Sequence, residues 1–234
     1  MESKHGDESS HVTHDGVFPA NFAEIVASLP SRGPPGLMVP SIRQYRGFWI
    51  YDGVLVNLPR AHACFEERPA DILLASFPKS GTTWLKALAF ATARRSVHSP
   101  LDAGHPLLSS NCHDCVRSLD TLRSSLESGG DTTAPRLLGT HLPYSLLPMR
   151  ATADGGGCRI VYIARDPKDT LVSLWHFDAG VRTEKEGGGG GAGEGTRPRT
   201  AAAAGRAALE FEEAFELFCQ GCCLSGPQWE HVRE

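Results

Sequence analysis

A lysine, a glycine and three hydroxyls fall on five consecutive residues, Lys79-Ser80-Gly81-Thr82-Thr83. Such a set suits a polyanion. Lysine brings a mobile positive charge, the hydroxyls bring neutral donors, and glycine lets the backbone approach closely. The flanks give the context. Ile72 to Ala75 is an unbroken apolar run, as in a strand buried on both faces. After Thr82, Leu85, Leu88 and Ala89 recur at helical spacing. Strand, loop and helix in that order bring backbone N–H groups together at a helix N-terminus, which favours an anion. The stretch reads as a phosphate cradle. It lacks the Gly-Lys-Ser/Thr order of the common P-loop, because Lys79 precedes Gly81 and no glycine opens the loop.

Two further clusters carry the same kind of chemistry. Arg165 follows the apolar run Arg159 to Ala164, and Ser173 lies eight residues on, inside a helix expected through Leu171, Leu174 and Trp175. Arginine forks onto phosphate oxygens and serine adds a neutral hydrogen bond. On a surface turn, Arg165 would instead pair with Asp166 or Asp169. His141, in Gly139-Thr140-His141-Leu142-Pro143-Tyr144, can take a proton at physiological pH if neutral. It is one of ten histidines, and most such residues are packed or surface groups. Two Cys-x-x-Cys pairs, Cys112/Cys115 and Cys219/Cys222, have the ligand types of a zinc site. Their separation is far beyond the roughly 15–20 residues of a zinc ribbon, so no metal is expected.

The elements that must hold these residues follow from the rest of the chain. Its 234 residues, 41% apolar and 21% charged, suffice for one sizeable core. A net charge of −4 leaves no nucleic-acid footprint. No apolar run has the length of a membrane span. Residues 1–16 are polar, without the apolar stretch of a secretory leader, and read as a disordered tail. Seven cysteines, an odd and scattered set, read as reduced thiols of a cytosolic protein. Phe18, Phe22, Ile25, Val26 and Leu29 predict a helix with Asp15 as its cap. Tyr45 to Tyr51 reads as a strand, broken by Gly53 and resumed from Val54 to Leu58, with a short helix or turn over Ala61 to Arg68. Ser99 to Asp114 reads as a loop, Val116 to Leu126 as a helix, Leu137 and Leu138 as a strand leading to Thr140 and His141, and Ala208 to Phe218 as a helix. The five glycines from Gly187 to Gly191 sit in a flexible low-complexity segment. Strands alternating with helices imply an α/β fold with a central parallel sheet. Ligands in such sheets sit at the carboxyl ends of strands, where Lys79, His141 and Arg165 all fall.

Pro78-Lys79-Ser80-Gly81-Thr82-Thr83-Trp84 resembles the 5′-phosphosulfate loop of the cytosolic sulfotransferases, which use 3′-phosphoadenosine 5′-phosphosulfate (PAPS). The resemblance runs from about Tyr45 to Phe177 and resumes over Phe211 to Val232. Tyr45-x-Gly47-Phe48-Trp49, Asn111-x-His113-Asp114, Phe211 to Cys219 and Gly226-Pro227-x-Trp229-x-His231-Val232 are similar to the plant branch. The Tyr45 to Trp49 aromatics equally suit plain core packing, the reading that residue type favours. The resemblance implies that Lys79, Ser80, Gly81, Thr82 and Thr83 hold the 5′ end of PAPS, with Trp84 stacked on adenine. It implies that Arg165 and Ser173 bind the 3′-phosphate. His141 would be the catalytic base, and Lys79 would stabilise the charge developing on the leaving group. The implied acceptor is a small hydroxylated compound such as a flavonoid, phenol or hormone. Neither metal, nucleic acid nor membrane is implied, and the location would be cytoplasmic. An unrelated nucleoside or shikimate-type P-loop kinase would need the absent Gly-Lys-Ser/Thr order.

Three departures qualify the resemblance. A Gly/Ala-rich segment at about 180–206 looks like a flexible insertion within a partial sulfotransferase domain spanning 17–234. Gly139 stands where some relatives carry lysine, two residues before the histidine. Nothing after Val232 resembles the family's C-terminal Arg-Lys-Gly…Gly-Asp-Trp-Lys loop, so the resemblance implies a C-terminally truncated relative whose sheet is incomplete there. Lys79 and Arg165 alone would face the several charges of PAPS. Losing two or three charge-assisted bonds at ~1.5–3 kcal/mol each would weaken affinity by roughly a hundred-fold or more. The alternative expectation is therefore a catalytically impaired relative that at most binds nucleotide or partners.

Overall fold

The computed structural model describes residues 18–32, 41–66, 68, 70–121, 135–152, 158–186 and 209–234, with backbone only from 178 to 186. The expected tail at 1–16, Asp15, and the glycine run with the rest of the low-complexity segment lie outside these residues. Helix α1 (Phe22–Ser28) is followed by β1 (Ser31–Arg32), β2 (Ile42–Tyr45) and β3 (Phe48–Tyr51), an antiparallel sheet at one side of the molecule. Helix α2 (Asp52–Cys64) leads to strand β4 (Ile72–Ser76) and helix α3 (Thr82–Ala93). Then come α4 (Cys112–Cys115), β5 (Arg117–Ser118), β6 (Leu137–Thr140), α5 (Met149–Thr152) and β7 (Arg159–Ile163). The long α6 (Pro167–Glu186), α7 (Phe211–Cys219) and α8 (Gln228–Arg233) complete the order. No helix among the described residues is long and apolar enough to cross a membrane.

The expected central parallel sheet is present, in the order β5-β6-β4-β7. All three pairings are parallel, with Ala75 opposite Thr140 and Ser76 opposite Ile163. β4 lies between β6 and β7, as its unbroken apolar run requires. Successive side chains point to opposite faces, so Leu73 packs with Leu138, Phe65 and Leu58 while Leu74 packs with Val116 and Leu137. The second face is covered by α3 through Leu85, Ala89 and Phe90. Helices α6 and α7 build a third apolar group around Phe77, where Leu171 and Leu174 meet Ala214 and Phe218. This chain is therefore α/β, with helices on both faces of a parallel sheet.

Several elements differ from the sequence expectations, for identifiable reasons. Val54 to Leu58 is helical. Val54, Val56 and Leu58 alternate as in a strand, but the buried set is Leu55, Leu58 and Ala61, a helical stripe that leaves Val56 exposed. Tyr45 to Tyr51 is two strands joined at Arg46 and Gly47, both with positive φ, the geometry of a tight hairpin turn. The helix expected over Val116 to Leu126 is replaced by β5 and a 3₁₀ turn at Leu119–Thr121, because Arg117 and Ser118 pair with β6; 122–130 lie outside the described residues. The expected loop before Asp114 contains a 3₁₀ turn at Pro106–Leu108 and α4. Helix α1 starts at Phe22 with Asn21 at its cap and no side-chain capping bond. On α3, Leu88 faces solvent and Lys86 is buried, the reverse of the apolar pattern. Phe215 on α7 is also exposed. The segment taken as an insertion from about 180 begins within α6, which stays helical to Glu186.

At the amino end of the sheet, Arg136 donates through Nε to both carboxylate oxygens of Asp71 at 3.2 Å, and through Nη2 to Asp71 and the carbonyl of Glu66. Both partners are buried. The backbone of Asp71 accepts from Arg159 N at 3.0 Å, and Ile72 N donates to Arg136 O at 2.9 Å. One ion pair thus aligns the starts of three strands. Removing one partner strands the other charge in the core, which costs about 3–5 kcal/mol. Asp71→Ala is expected to lower the unfolding free energy by that amount in urea titrations; a change under about 1 kcal/mol would show that the pair behaves as a surface bridge.

Candidate functional site

The carboxyl end of β4 turns sharply through Phe77 to Gly81 into α3. Ser80 N donates to Phe77 O at 3.2 Å, closing the turn. Lys79 adopts φ +65° and Gly81 φ +111°. A non-glycine residue in that region is uncommon, and left-handed residues at 79 and 81 give the loop the turn geometry of an anion-binding nest. The positive φ is what favours glycine at 81; a Cβ there would also stand 3.0 Å from Ile163 Cδ1, a tight contact that the isoleucine would have to yield to. The amides of Gly81, Thr82 and Thr83 belong to the first turn of α3, where no helical carbonyl reaches them. Ser80 is 3% exposed, and its Oγ is buried without a hydrogen-bond partner. A buried hydroxyl in that state calls for an acceptor. Its place in the nest makes a phosphate or sulfonate oxygen a fitting one. Lys79 holds its ammonium 4.0 Å from the ring centroid of Phe177 on α6.

His141 follows β6 as Lys79 follows β4. Its Nδ1 lies 2.7 Å from the carbonyl oxygen of Ser76. A carbonyl only accepts, so Nδ1 carries the proton and the Nε2 lone pair remains available. No hydrogen bond among the described residues engages Nε2. Asp120 fixes the backbone beneath: its carboxylate accepts from Thr140 Oγ1 at 2.5 Å and from His141 N at 2.9 Å. Ser76 Oγ meets Thr82 Oγ1 at 2.6 Å and so ties the strand end to the cradle. The arrangement has a base lone pair, a cation and an anion nest at the same end of the sheet.

Arg165 follows β7, and its Nη1 donates to Lys79 O at 3.3 Å. It also faces Asp169 at 3.9 Å, the surface pairing anticipated as the plain alternative. The two contacts coexist, since the guanidinium has five donors. Asp169, Ser173 and Phe177 follow at i, i+4 and i+8 on α6, hence on one face. Asp169 meets Arg165 and Phe177 meets Lys79, so Ser173 between them lies on the face turned to this loop pair. Trp84, the last residue of the loop motif, is 74% exposed.

Helix α8 braces the site in a way the sequence did not reveal. Gln228 Nε2 donates to Arg165 O at 3.0 Å and to Thr170 Oγ1 at 3.3 Å. His231 Nε2 donates to His141 O at 3.1 Å, which leaves Nδ1 to accept from Tyr162 O–H at 2.8 Å. Burial pushes the Tyr162 phenol up to about 12, so it keeps its proton as donor. Asp120, Ser76 and Gln228 carried no recognisable pattern. His231 was visible only as part of a resemblance, in which Gln228 is an unspecified position. The two Cys-x-x-Cys pairs do not converge with other ligands: among the described residues no group of three or more His, Cys, Asp or Glu could hold a metal ion.

A protein-family model for the sulfotransferase domain matches residues 69–234. Cytosolic sulfotransferase 9 of Arabidopsis thaliana is 39% identical over 200 residues, covering 81% of this chain and 54% of the relative. A solved Arabidopsis thaliana sulphotransferase superposes with a TM-score of 0.65 at 32% identity, covering 89% of this chain and 63% of that one. A mouse sulfotransferase crystallised with PAP gives a TM-score of 0.50 at 25% identity, covering 82% and 56%. The chain spans a little over half the length of the curated relatives it matches.

Burial holds His231 below the ordinary histidine value of ~6.5, partly offset by its bond to His141 O. Its contribution to stability is therefore intact above ~6.5 and is lost as pH falls toward the lower folded-state value. His62 and His113 are also lowered by burial and act with the same sign. Urea unfolding measured from pH 7.5 to 5 should show falling stability, with a shallower slope in His231→Gln. An unchanged slope in that variant would mean that His231 protonates freely while folded.

Proposed function

The chain belongs to the sulfotransferase family, and on that premise we propose that its cleft transfers the sulfonate group of PAPS to the hydroxyl of a small acceptor. The observation that carries the reading is the His141 tautomer. Its Nδ1 proton is committed to Ser76 O, which leaves the Nε2 lone pair available at the sheet end where the buried Ser80 hydroxyl also lacks a partner. In the proposed step the acceptor oxygen bonds to sulfur as its proton passes to His141 Nε2. The bond from sulfur to the bridging oxygen breaks, and 3′,5′-bisphosphate leaves. Lys79 stabilises the charge gathering on that oxygen. Ser80, Gly81, Thr82 and Thr83 hold the 5′ end, Trp84 offers its exposed face to adenine, and Arg165 with Ser173 receives the 3′-phosphate. The residues need no metal for this in-line displacement.

The acceptor class follows the family only as far as a small hydroxylated compound, such as a flavonoid, phenol or hormone. Its hydroxyl must reach His141 past the loops before α4 and after β6. A cytoplasmic location is proposed from the relatives' names. A second reading, nucleotide binding with impaired transfer, is favoured by β7 standing at the edge of the sheet with Val161 and Tyr162 partly exposed. Weaker enclosure there leaves the phosphates in water and screens each contact.

The test has two arms on the purified chain. With radiolabelled PAPS and a panel of phenols, flavonoids and hydroxylated hormones, slow transfer is expected, falling to background in His141→Ala. In calorimetry, Arg165→Ala should weaken PAP binding by about tenfold or more while 5′-AMP binding changes little. PAP binding without transfer would favour the second reading. Equal losses for PAP and 5′-AMP would remove the 3′-phosphate assignment, and no transfer together with no PAP binding would overturn the whole proposal.

A further inference from the structure

Lys86 is the one lysine placed in the buried wall of this site among the described residues, at 4% exposure in the second turn of α3. A buried ammonium is expensive unless its donors are used. Two are: Nζ donates to Val116 O at 3.0 Å and lies 3.2 Å from His113 Nδ1. His113 is exposed at its rim, on α4, with Nε2 3.3 Å from Thr83 Oγ1. The directions of these bonds follow from the donors. An ammonium has no lone pair, so His113 Nδ1 must accept. The imidazole proton then sits on Nε2 and is given to Thr83 Oγ1. With that oxygen already accepting from the ring, the Thr83 hydroxyl proton is left for a third group to accept.

Resting on the sulfonate-transfer reading, we propose that Lys86 and His113 are positioning residues, fixing Thr83 as a hydrogen-bond donor to the phosphosulfate end of PAPS. The path starts at a fixed charge under the sheet and ends at a hydroxyl in the first turn of α3. Gly139 makes room for it. A Cβ at 139 would stand 2.3 Å from Lys86 Cε and 2.9 Å from Nζ. The lysine of α3 therefore occupies the space over the very residue where some relatives carry a lysine on β6.

The charges around His113 are consistent with a neutral ring. Burial lowers its basicity first, then Lys86 and His141, while Asp114 on its own helix opposes them. Burial lowers the basicity of Lys86 itself, and Asp120, beyond it, opposes that in favour of the ammonium. Arg117 lies on β5 just after α4. His105, at the start of the 3₁₀ turn that packs on α4, turns its ring to Phe90 and His98 instead.

Long-range ¹H–¹⁵N spectra of the labelled chain read the tautomer directly, with His113→Gln to assign the ring. A neutral Nε2–H form at pH 7 is expected. Lys86→Met should raise the His113 titration toward the ordinary histidine value, because the neighbouring cation is gone. An Nδ1–H form, or an imidazolium at pH 7, overturns the proposal. If Lys86→Met does not fold, Gly139→Ala tests the same contact by displacing the amine. The second readout is PAP affinity. His113→Ala should weaken it by about tenfold, and His113→Gln, whose amide can also donate to Thr83, should restore most of the loss. Equal losses in the two variants would show that the ring merely fills space. The spectra need no nucleotide, so failure here is separate from failure of the sulfonate-transfer reading, which would appear as no PAP binding by the unaltered chain.

Discussion

The hydrogen bond from His141 Nδ1 to the carbonyl of Ser76, 2.7 Å long, is the contact on which the site depends. It exists because β4 and β6 are adjacent and parallel, with Ala75 opposite Thr140. The next residue of each strand then emerges at the same height. A slip of one residue would move Thr140 or Leu142 to that place and turn the side chains to the other face. The bond decides which nitrogen of the ring carries the proton and which keeps a lone pair, and it costs the protein no extra charge. Asp120 holds Thr140 and the His141 amide, so the residue is fixed from the backbone as well as the ring.

Positive charge is distributed unevenly around this centre. Lys79 rests on the ring of Phe177, Arg165 reaches the backbone of Lys79, and Lys86 lies beneath the sheet against His113. A net charge of −4 for the chain means that an anion is drawn by these local groups and the nest rather than by the molecule as a whole. The left side of the sheet, at β5, is short and packed on α4, whereas β7 presents apolar side chains to water. Helix α8 compensates in part. Through Gln228 and His231 it joins the segments after β6 and β7, the two loops that must keep their spacing for one ligand to touch both.

Much of this was legible in the chain. Ile72 to Ala75 announced a central strand because an apolar run with no polar alternation has no face to give to water. Lys79, His141 and Arg165 were placed correctly at strand ends because each follows such a run. Other features were hidden by competing patterns. Val54 to Leu58 satisfies a period of two and a period of 3.6 at once, and only burial of Leu55, Leu58 and Ala61 selects the helix. Lys86, between Leu85 and Leu88, drew no reading from the sequence, because composition does not say which helix face meets the sheet. Its identity as a wall residue follows from Thr82, four residues earlier and also buried. Asp120 was invisible, since its partners Thr140 and His141 lie twenty residues away along the chain.

The most direct measurement is a crystal structure of the chain with 3′,5′-bisphosphate bound. The account predicts the 5′-phosphate in the nest, accepting from Ser80 Oγ and the amides of Gly81 to Thr83, with His141 Nε2 opening on the space where sulfur would stand. It predicts the 3′-phosphate on Arg165 near Ser173. A nucleotide bound elsewhere, or a 5′-phosphate in the nest with His141 turned so that Nε2 meets Ser76 O, would contradict it.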